Sequence, residues 1–142
     1  MTKKELVELV MASFTFEREG NVAGGLSLLH PEFRSTEMNI GPDGTVFRSL
    51  AGSNVRNLIR SAFQISDREY EIVHVLADEE AQVVMVEFVE SYTDTVTGKR
   101  YRTPIVAVCV VRDGKIYRTR HYTDDRLSDL YLDTSTIDGV LG

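Results

Sequence analysis

Between residues 70 and 124 four apolar-rich runs of strand length, the first alternating apolar with polar, are parted by turns too short for anything but reversal. The runs are Tyr70 to Ala77, Gln82 to Thr93, Arg100 to Val111 and Lys115 to Asp124. Asp78-Glu79-Glu80, Thr97-Gly98-Lys99 and Arg112-Asp113-Gly114 separate them. Asp-Gly supplies the positive φ that a tight hairpin needs, and connections this short join only antiparallel neighbours. The second half of the chain is therefore expected to be an antiparallel meander.

The composition of those strands dictates what surrounds them. Val86 and Phe88 point to one face; Val83, Met85 and Val89 point to the other. Ile105, Ala107 and Cys109 likewise oppose Val106, Val108 and Val110. A sheet covered on one side alternates apolar with polar, so a sheet apolar on both faces needs cover on both. The first half supplies helices for one face. Leu6, Val7, Val10 and Phe14 form a stripe in a helix over 4–18, ended by Gly20-Asn21. A second, shorter helix over 22–29 carries Leu26 and Leu29, is weakened by Gly24 and Gly25, and stops at His30-Pro31. Phe33 to Asn39 reads as a short strand, and Gly41-Pro42-Asp43-Gly44 as a turn. Ser53 caps a third helix bearing Val55, Leu58, Ile59 and Ala62. The class is α+β, with three helices in the N-terminal half. The uncovered face is expected to meet a second copy, giving a homodimer through the outer sheet face.

The 142 residues suit one domain, 1–142, with a core over about 5–125 and a polar tail at 126–142. The net charge of −6 disfavours nucleic acid and anionic membranes as partners. No apolar stretch approaches the ~20 residues that cross a bilayer. Glu5, Glu8, Glu17 and Glu19 interrupt the N-terminal region where a signal peptide would carry its apolar segment, so a cytoplasmic location is expected. The single cysteine, Cys109, lies in an apolar run and reads as a buried, inert thiol. His30, His74 and His121 are widely spaced and no cysteine pair exists, so no metal is expected; no phosphate-binding glycine loop is present either.

Three stretches carry a resemblance to a known family. They are Phe14-Thr15-Phe16-Glu17-Arg18-Glu19-Gly20-Asn21, then His30-Pro31-Glu32-Phe33, then Asp113-Gly114-Lys115-Ile116 through Tyr122-Thr123-Asp124. In that order and spacing the chain resembles the SnoaL-like branch of the nuclear transport factor 2-like superfamily, over roughly residues 5–125. The resemblance implies a cone-shaped fold with a curved antiparallel sheet around a small-molecule pocket. Relatives include ketosteroid isomerases, polyketide cyclases, limonene epoxide hydrolases, scytalone dehydratases and members with no catalytic role. The slot of the isomerase base falls on Glu37. The epoxide hydrolase arginine slot falls on Phe88, its first aspartate on Glu90 and its second on His121. Loss of the arginine and one aspartate argues against epoxide hydrolysis. No residue among Ile105 to Val110 matches the isomerase's oxyanion-hole aspartate.

Glu37, Glu90 and His121 are thus the candidate catalytic residues. His121 titrates near neutral pH and Glu90 would orient it, or the two form a structural hydrogen bond in a ligand pocket, or they lie on the surface. Glu37 is a base in an apolar site or a solvated carboxylate at the cone mouth. Tyr101 and Tyr117 would polarise a carbonyl oxygen or simply pack in their strands. Phe16, Phe63, Phe88 and Thr119 complete the expected substrate-binding set. The basic stretches Lys99-Arg100-Tyr101-Arg102 and Arg118-Thr119-Arg120 are expected to pair with acids rather than with nucleic acid. The function expected is cofactor-free acid–base chemistry, an isomerase, cyclase or dehydratase acting on a hydrophobic oxygenated small molecule. The alternative is a non-catalytic ligand-binding or protein-interaction domain of the same fold.

Overall fold

A computed structural model describes residues 1–40, 44, 46–51 and 65–124. The third expected helix, Phe63 and the tail lie outside these residues.

Helix α1 spans Lys3–Arg18. Thr2 and Glu5 close its first turn reciprocally. Thr2 Oγ1 accepts from the Glu5 amide at 3.3 Å, and Glu5 Oε2 accepts from the Thr2 amide at 2.7 Å. The Thr2 amide, and the Thr2 hydroxyl donating to the same Oε2 at 3.0 Å, favour the Glu5 carboxylate and hold it below the ordinary carboxylate range. The helix buries Leu6 and Val10 completely, each worth about 1.5–3 kcal/mol of transfer free energy. Asn21 caps the short α2, Val22–Ser27, through the Gly24 amide at 2.8 Å.

The helix expected to reach Leu29 stops at Ser27, and His30 and Pro31 belong instead to strand β1, Leu29–Ile40. Pro31 falls where pairing is interrupted between Leu29 and Arg34, so its missing N–H costs no ladder bond. Strand β2, Val46–Ala51, was not read from the sequence. The meander follows as β3 (Ile65–Asp78), β4 (Val83–Asp94), β5 (Arg100–Arg112) and β6 (Lys115–Tyr122). Asp113 and Gly114 have φ of 51° and 70°, the geometry an Asp-Gly hairpin turn requires.

The six-stranded sheet has the order β2-β1-β6-β5-β4-β3. It is mixed rather than wholly antiparallel, because β1 runs parallel to β6 while every other pair is antiparallel. This one parallel seam sets the first strand beside the last. Bulges in β3, between Ser66 and Glu69 and between Ile72 and His74, add the bending that an unbroken ladder resists.

The inner face carries Val84, Val86, Phe88, Ala107, Cys109 and Val111 against Leu6 and Val10 of α1. Burial pushes the Cys109 thiol up to about 12, with a smaller contribution from Glu17, which leaves it a packing residue. On the outer face Thr36, Arg120, Val108, Met85 and Leu76 follow one another across five strands. Leu76 is 66% exposed and Met85 43%. His74 Nδ1 and Glu87 Oε2 meet at 2.7 Å on this side.

Candidate active site

The parallel seam builds the first part of the site. Ser35 stands in register with Thr119, and Glu37 with His121. Thr119 and His121 also lie opposite Cys109 and Ala107, which places them on the inner face. Thr119 Oγ1 donates to Ser35 Oγ at 3.0 Å, and His121 Nδ1 meets Glu37 Oε1 at 3.1 Å. The His121 side chain is 33% exposed and that of Glu37 18%. Burial alone would lower the imidazole. The hydrogen bond and charge of Glu37, helped by Glu17 and Glu90, outweigh it and raise His121 above its ordinary value. Because Nδ1 faces Glu37, Nε2 is the nitrogen left for a ligand.

The second part lies two strands away. Glu90 of β4 pairs in register with Tyr70 of β3 and Thr103 of β5. Asp67, at φ 53°, turns the β3 backbone where the register shifts, and Arg68 follows it. Arg68 Nη2 stands 3.5 Å from Glu90 Oε1, and its Nη1 stands 4.0 Å from Glu17 Oε1. Tyr70 Oη donates to Glu17 Oε2 at 2.8 Å and accepts from Arg68 Nη1 at 3.3 Å. Burial raises Glu90 above the usual carboxylate range; Arg68 opposes this, Glu17 and Glu37 reinforce it, and His121 offsets it. The fields of the two clusters therefore act on one another. Tyr70 is raised too, first by burial and then by Glu17 and Glu90, so it stays a neutral hydrogen-bond donor. The Arg68 Nε is buried without an acceptor among the described residues.

Sequence reasoning expected Glu90 to orient His121. In the structure the carboxylate on the imidazole is that of Glu37, and the ion partner of Glu90 is Arg68. Glu17, Arg68 and Tyr70 were missed. Glu17 follows Phe14 by three positions on the apolar stripe of α1, and Arg68 shares parity with Tyr70; those were the available signals. Phe88 packs edge-on against Phe14 at 4.9 Å and Tyr70 at 5.7 Å, a wall beside Glu90. Phe16 instead packs against α2, near Gly24. Tyr101 pairs across strands with Tyr92, their rings 5.3 Å apart, on the Glu90 side of the sheet.

Tyr117 leaves the site. Parity grouped it with Thr119 and His121, but the register shifts between Val110 and Val111, whose partners are Arg118 and Ile116. Tyr117 sits in that bulge, beneath the Arg112 guanidinium at 3.7 Å and edge-on to His30 at 5.1 Å. It lies four residues, roughly 13 Å along a strand, from His121. A groove of about 90 Å³ between α1 and β3 is lined by Met11, Phe14, Thr15, Arg18, Tyr70 and Ile72 and by none of the candidate catalytic residues. Among the described residues no three His, Cys, Asp or Glu side chains converge as a metal site, and no helix is long and apolar enough to cross a membrane.

The model of the SnoaL-like domain family matches residues 10–119. Solved structures share the fold at low identity. An LEH-like epoxide hydrolase from M. tuberculosis is 19% identical with a TM-score of 0.73, over 98% of this chain and 97% of that one. A nuclear transport factor 2-like protein from Burkholderia xenovorans LB400 is 18% identical with a TM-score of 0.73, over 94% and 99%. A protein with a ketosteroid isomerase-like fold from Catenulispora acidiphila, solved with trimethylamine, is 15% identical with a TM-score of 0.65, over 81% and 84%. No curated protein matches the sequence. With the family model spanning most of the chain, and the helix-backed curved sheet common to these structures, the protein belongs to the SnoaL-like domain family and has the nuclear transport factor 2-like fold.

Proposed function

We propose that this protein is a cofactor-free acid–base enzyme acting on a hydrophobic small molecule with a carbonyl or enol oxygen. The observation that carries this reading is the Glu37–His121 pair at 3.1 Å on the inner face, with the raised carboxyl of Glu90 on the same face. In an isomerisation Glu37 takes a proton from the carbon beside the carbonyl, through the oxygen not engaged by His121. The imidazolium Nε2 donates a proton to the carbonyl oxygen, giving a neutral enol. Return of the proton to a different carbon, with the enol proton going back to His121, completes the reaction with no external reagent. Glu90, raised by burial and held by Arg68, adds its field to the same face, and Phe88 gives an apolar wall. Thr119 and Tyr101 lie on this face and would contact the substrate body.

One observation favours a non-catalytic ligand-binding domain instead. Phe14, Tyr70 and Phe88 fill the space beside Glu90 with mutual edge-to-face contacts, and Arg68 neutralises the carboxylate. The two readings separate in one experiment. Apolar enolisable ketones such as 2-tetralone are incubated with the protein in deuterated buffer and exchange of the α-proton is followed by NMR. Protein-dependent exchange that is lost in both Glu37→Gln and His121→Gln supports the enzyme. Saturable binding without exchange supports the binder.

The remaining expectations belong with this reading: one domain over 1–142, a homodimer through the outer sheet face, and a cytoplasmic location. The exposed Leu76 and Met85 support the dimer, and the lone buried thiol suits a reducing compartment.

A further inference from the structure

The acidic chain holds a cluster of arginines without a carboxylate partner among the described residues, on the sheet face opposite the Glu37–His121 pair. Arg34 of β1 stands directly in register with Arg118 of β6, and Arg120 follows two positions on along the same outer face. Arg112, near the end of β5, reaches the same place, because its guanidinium and that of Arg118 both lie over the Tyr117 ring, at 3.7 and 4.5 Å. Arg118 Nη2 also donates to Tyr117 Oη at 2.9 Å, and the His30 ring meets Tyr117 edge-on. None of these four arginines forms an ion pair with a carboxylate among the described residues, whereas Arg68 and Arg102 both do. Asp113, the nearest acid in the hairpin, is engaged by His30 Nε2 at 3.5 Å.

This arrangement costs stability. Like charges directly opposite in a sheet repel. With 22 acidic residues against 16 lysines and arginines, the chain had acids available to neutralise them. It is also ordered: a guanidinium held over an aromatic ring has its orientation fixed while in-plane N–H donors remain, in Arg118 those other than the Nη2–H given to Tyr117 Oη. A local rule broken without a folding gain, combined with preorganised donors, marks a binding site.

We infer that Arg112 and Arg118, both over the Tyr117 ring, together with Arg34 in register with Arg118, form a binding site for a compact multivalent oxyanion, a phosphate ester or a polycarboxylate. Tyr117 is the positioning residue, holding two of the three forks. The site lies at the opposite end of β6 from His121 and is independent of the proposed acid–base chemistry.

The test is calorimetric titration of the whole protein at low salt with pyrophosphate and with citrate. Arg112→Gln and Arg118→Gln are measured beside the control Lys4→Gln, on the exposed surface of α1. The expected result is saturable binding of at least one anion, weakened roughly tenfold or more by either arginine change, as loss of a charge-assisted contact requires, and unchanged in the lysine control. Preference for pyrophosphate or for citrate assigns the ligand class. Tyr117→Leu weakens binding while leaving both arginines in place, and Tyr117→Phe, which keeps the stack, retains most of it. Absence of saturation, or equal weakening by the lysine control, overturns the inference. So does a response confined to oligonucleotides with a steep salt dependence, which marks diffuse attraction. A change of mass in solution in Arg118→Gln without any anion response also overturns it, by assigning the arginines to a contact between copies. Melting curves of each variant show whether the fold is kept.

Discussion

Replacing Glu37 by glutamine keeps a neutral partner beside His121 and removes the charge. A charge-assisted hydrogen bond contributes about 1.5–3 kcal/mol when shielded from water, and an exposed ion pair under about 1 kcal/mol. With His121 33% exposed and Glu37 18%, the pair falls between these limits. Because glutamine retains part of the bond, the net loss is about 1 kcal/mol, a fall in Tm of about 4 °C for a chain of this size. The pH dependence follows from the direction of the shift. His121 is raised in the folded protein, so the stability it contributes is fully present below its unfolded value and is lost as pH rises through the folded one. Denaturant melts of wild type, Glu37→Gln, His121→Gln and the double variant, at pH 6 and pH 9, give the coupling energy directly. About 1 kcal/mol at pH 6, reduced by half or more at pH 9, is the expected result. In parallel, the NMR titration midpoint of His121 moves down in Glu37→Gln. A coupling equal at both pH values, or an unmoved midpoint, refutes the account of the pair.

Two further outcomes follow from the packing. Gly24→Ala gains about 1 kcal/mol of helix propensity, yet the added Cβ would lie 2.8 Å from Asn21 Nδ2 and 2.9 Å from Phe16 Cδ1. Net destabilisation of about 1–2 kcal/mol is expected, and a raised Tm contradicts it. Arg68→Met leaves Glu90 buried without its cation, at about 3–5 kcal/mol near pH 8. Glu90 is already raised by burial, so the stability lost as pH climbs above the unfolded carboxylate value grows further. The Tm deficit of Arg68→Met against wild type is therefore larger at pH 8 than at pH 5, and a deficit independent of pH counts against the buried-carboxylate reading.

The meander was legible because apolar runs of strand length are parted by short turns of telling chemistry; Asp113-Gly114 is the plainest case. Strand β1 was harder. Its first residue, Leu29, reads as the end of a helix stopped by His30-Pro31, whereas in the structure it pairs with Ile116 of β6. That contact joins chain segments some 80 positions apart, and no local pattern reports it. Glu37, Glu90 and His121 were picked by slot and parity, and the structure puts all three on the inner face. Their pairing was not legible, because the parallel register alone decides that Glu37 meets His121. Tyr117 shows the limit of parity, since one bulged residue moves it out of the row that Thr119 and His121 share.

The most direct test of the acid–base site is a crystal structure with 2-tetralone bound. The account predicts the ketone oxygen within about 3.2 Å of His121 Nε2, and its α-carbon facing the free oxygen of Glu37 at a distance that allows proton transfer. A ketone lodged in the groove between α1 and β3, or bound out of reach of both side chains, contradicts it.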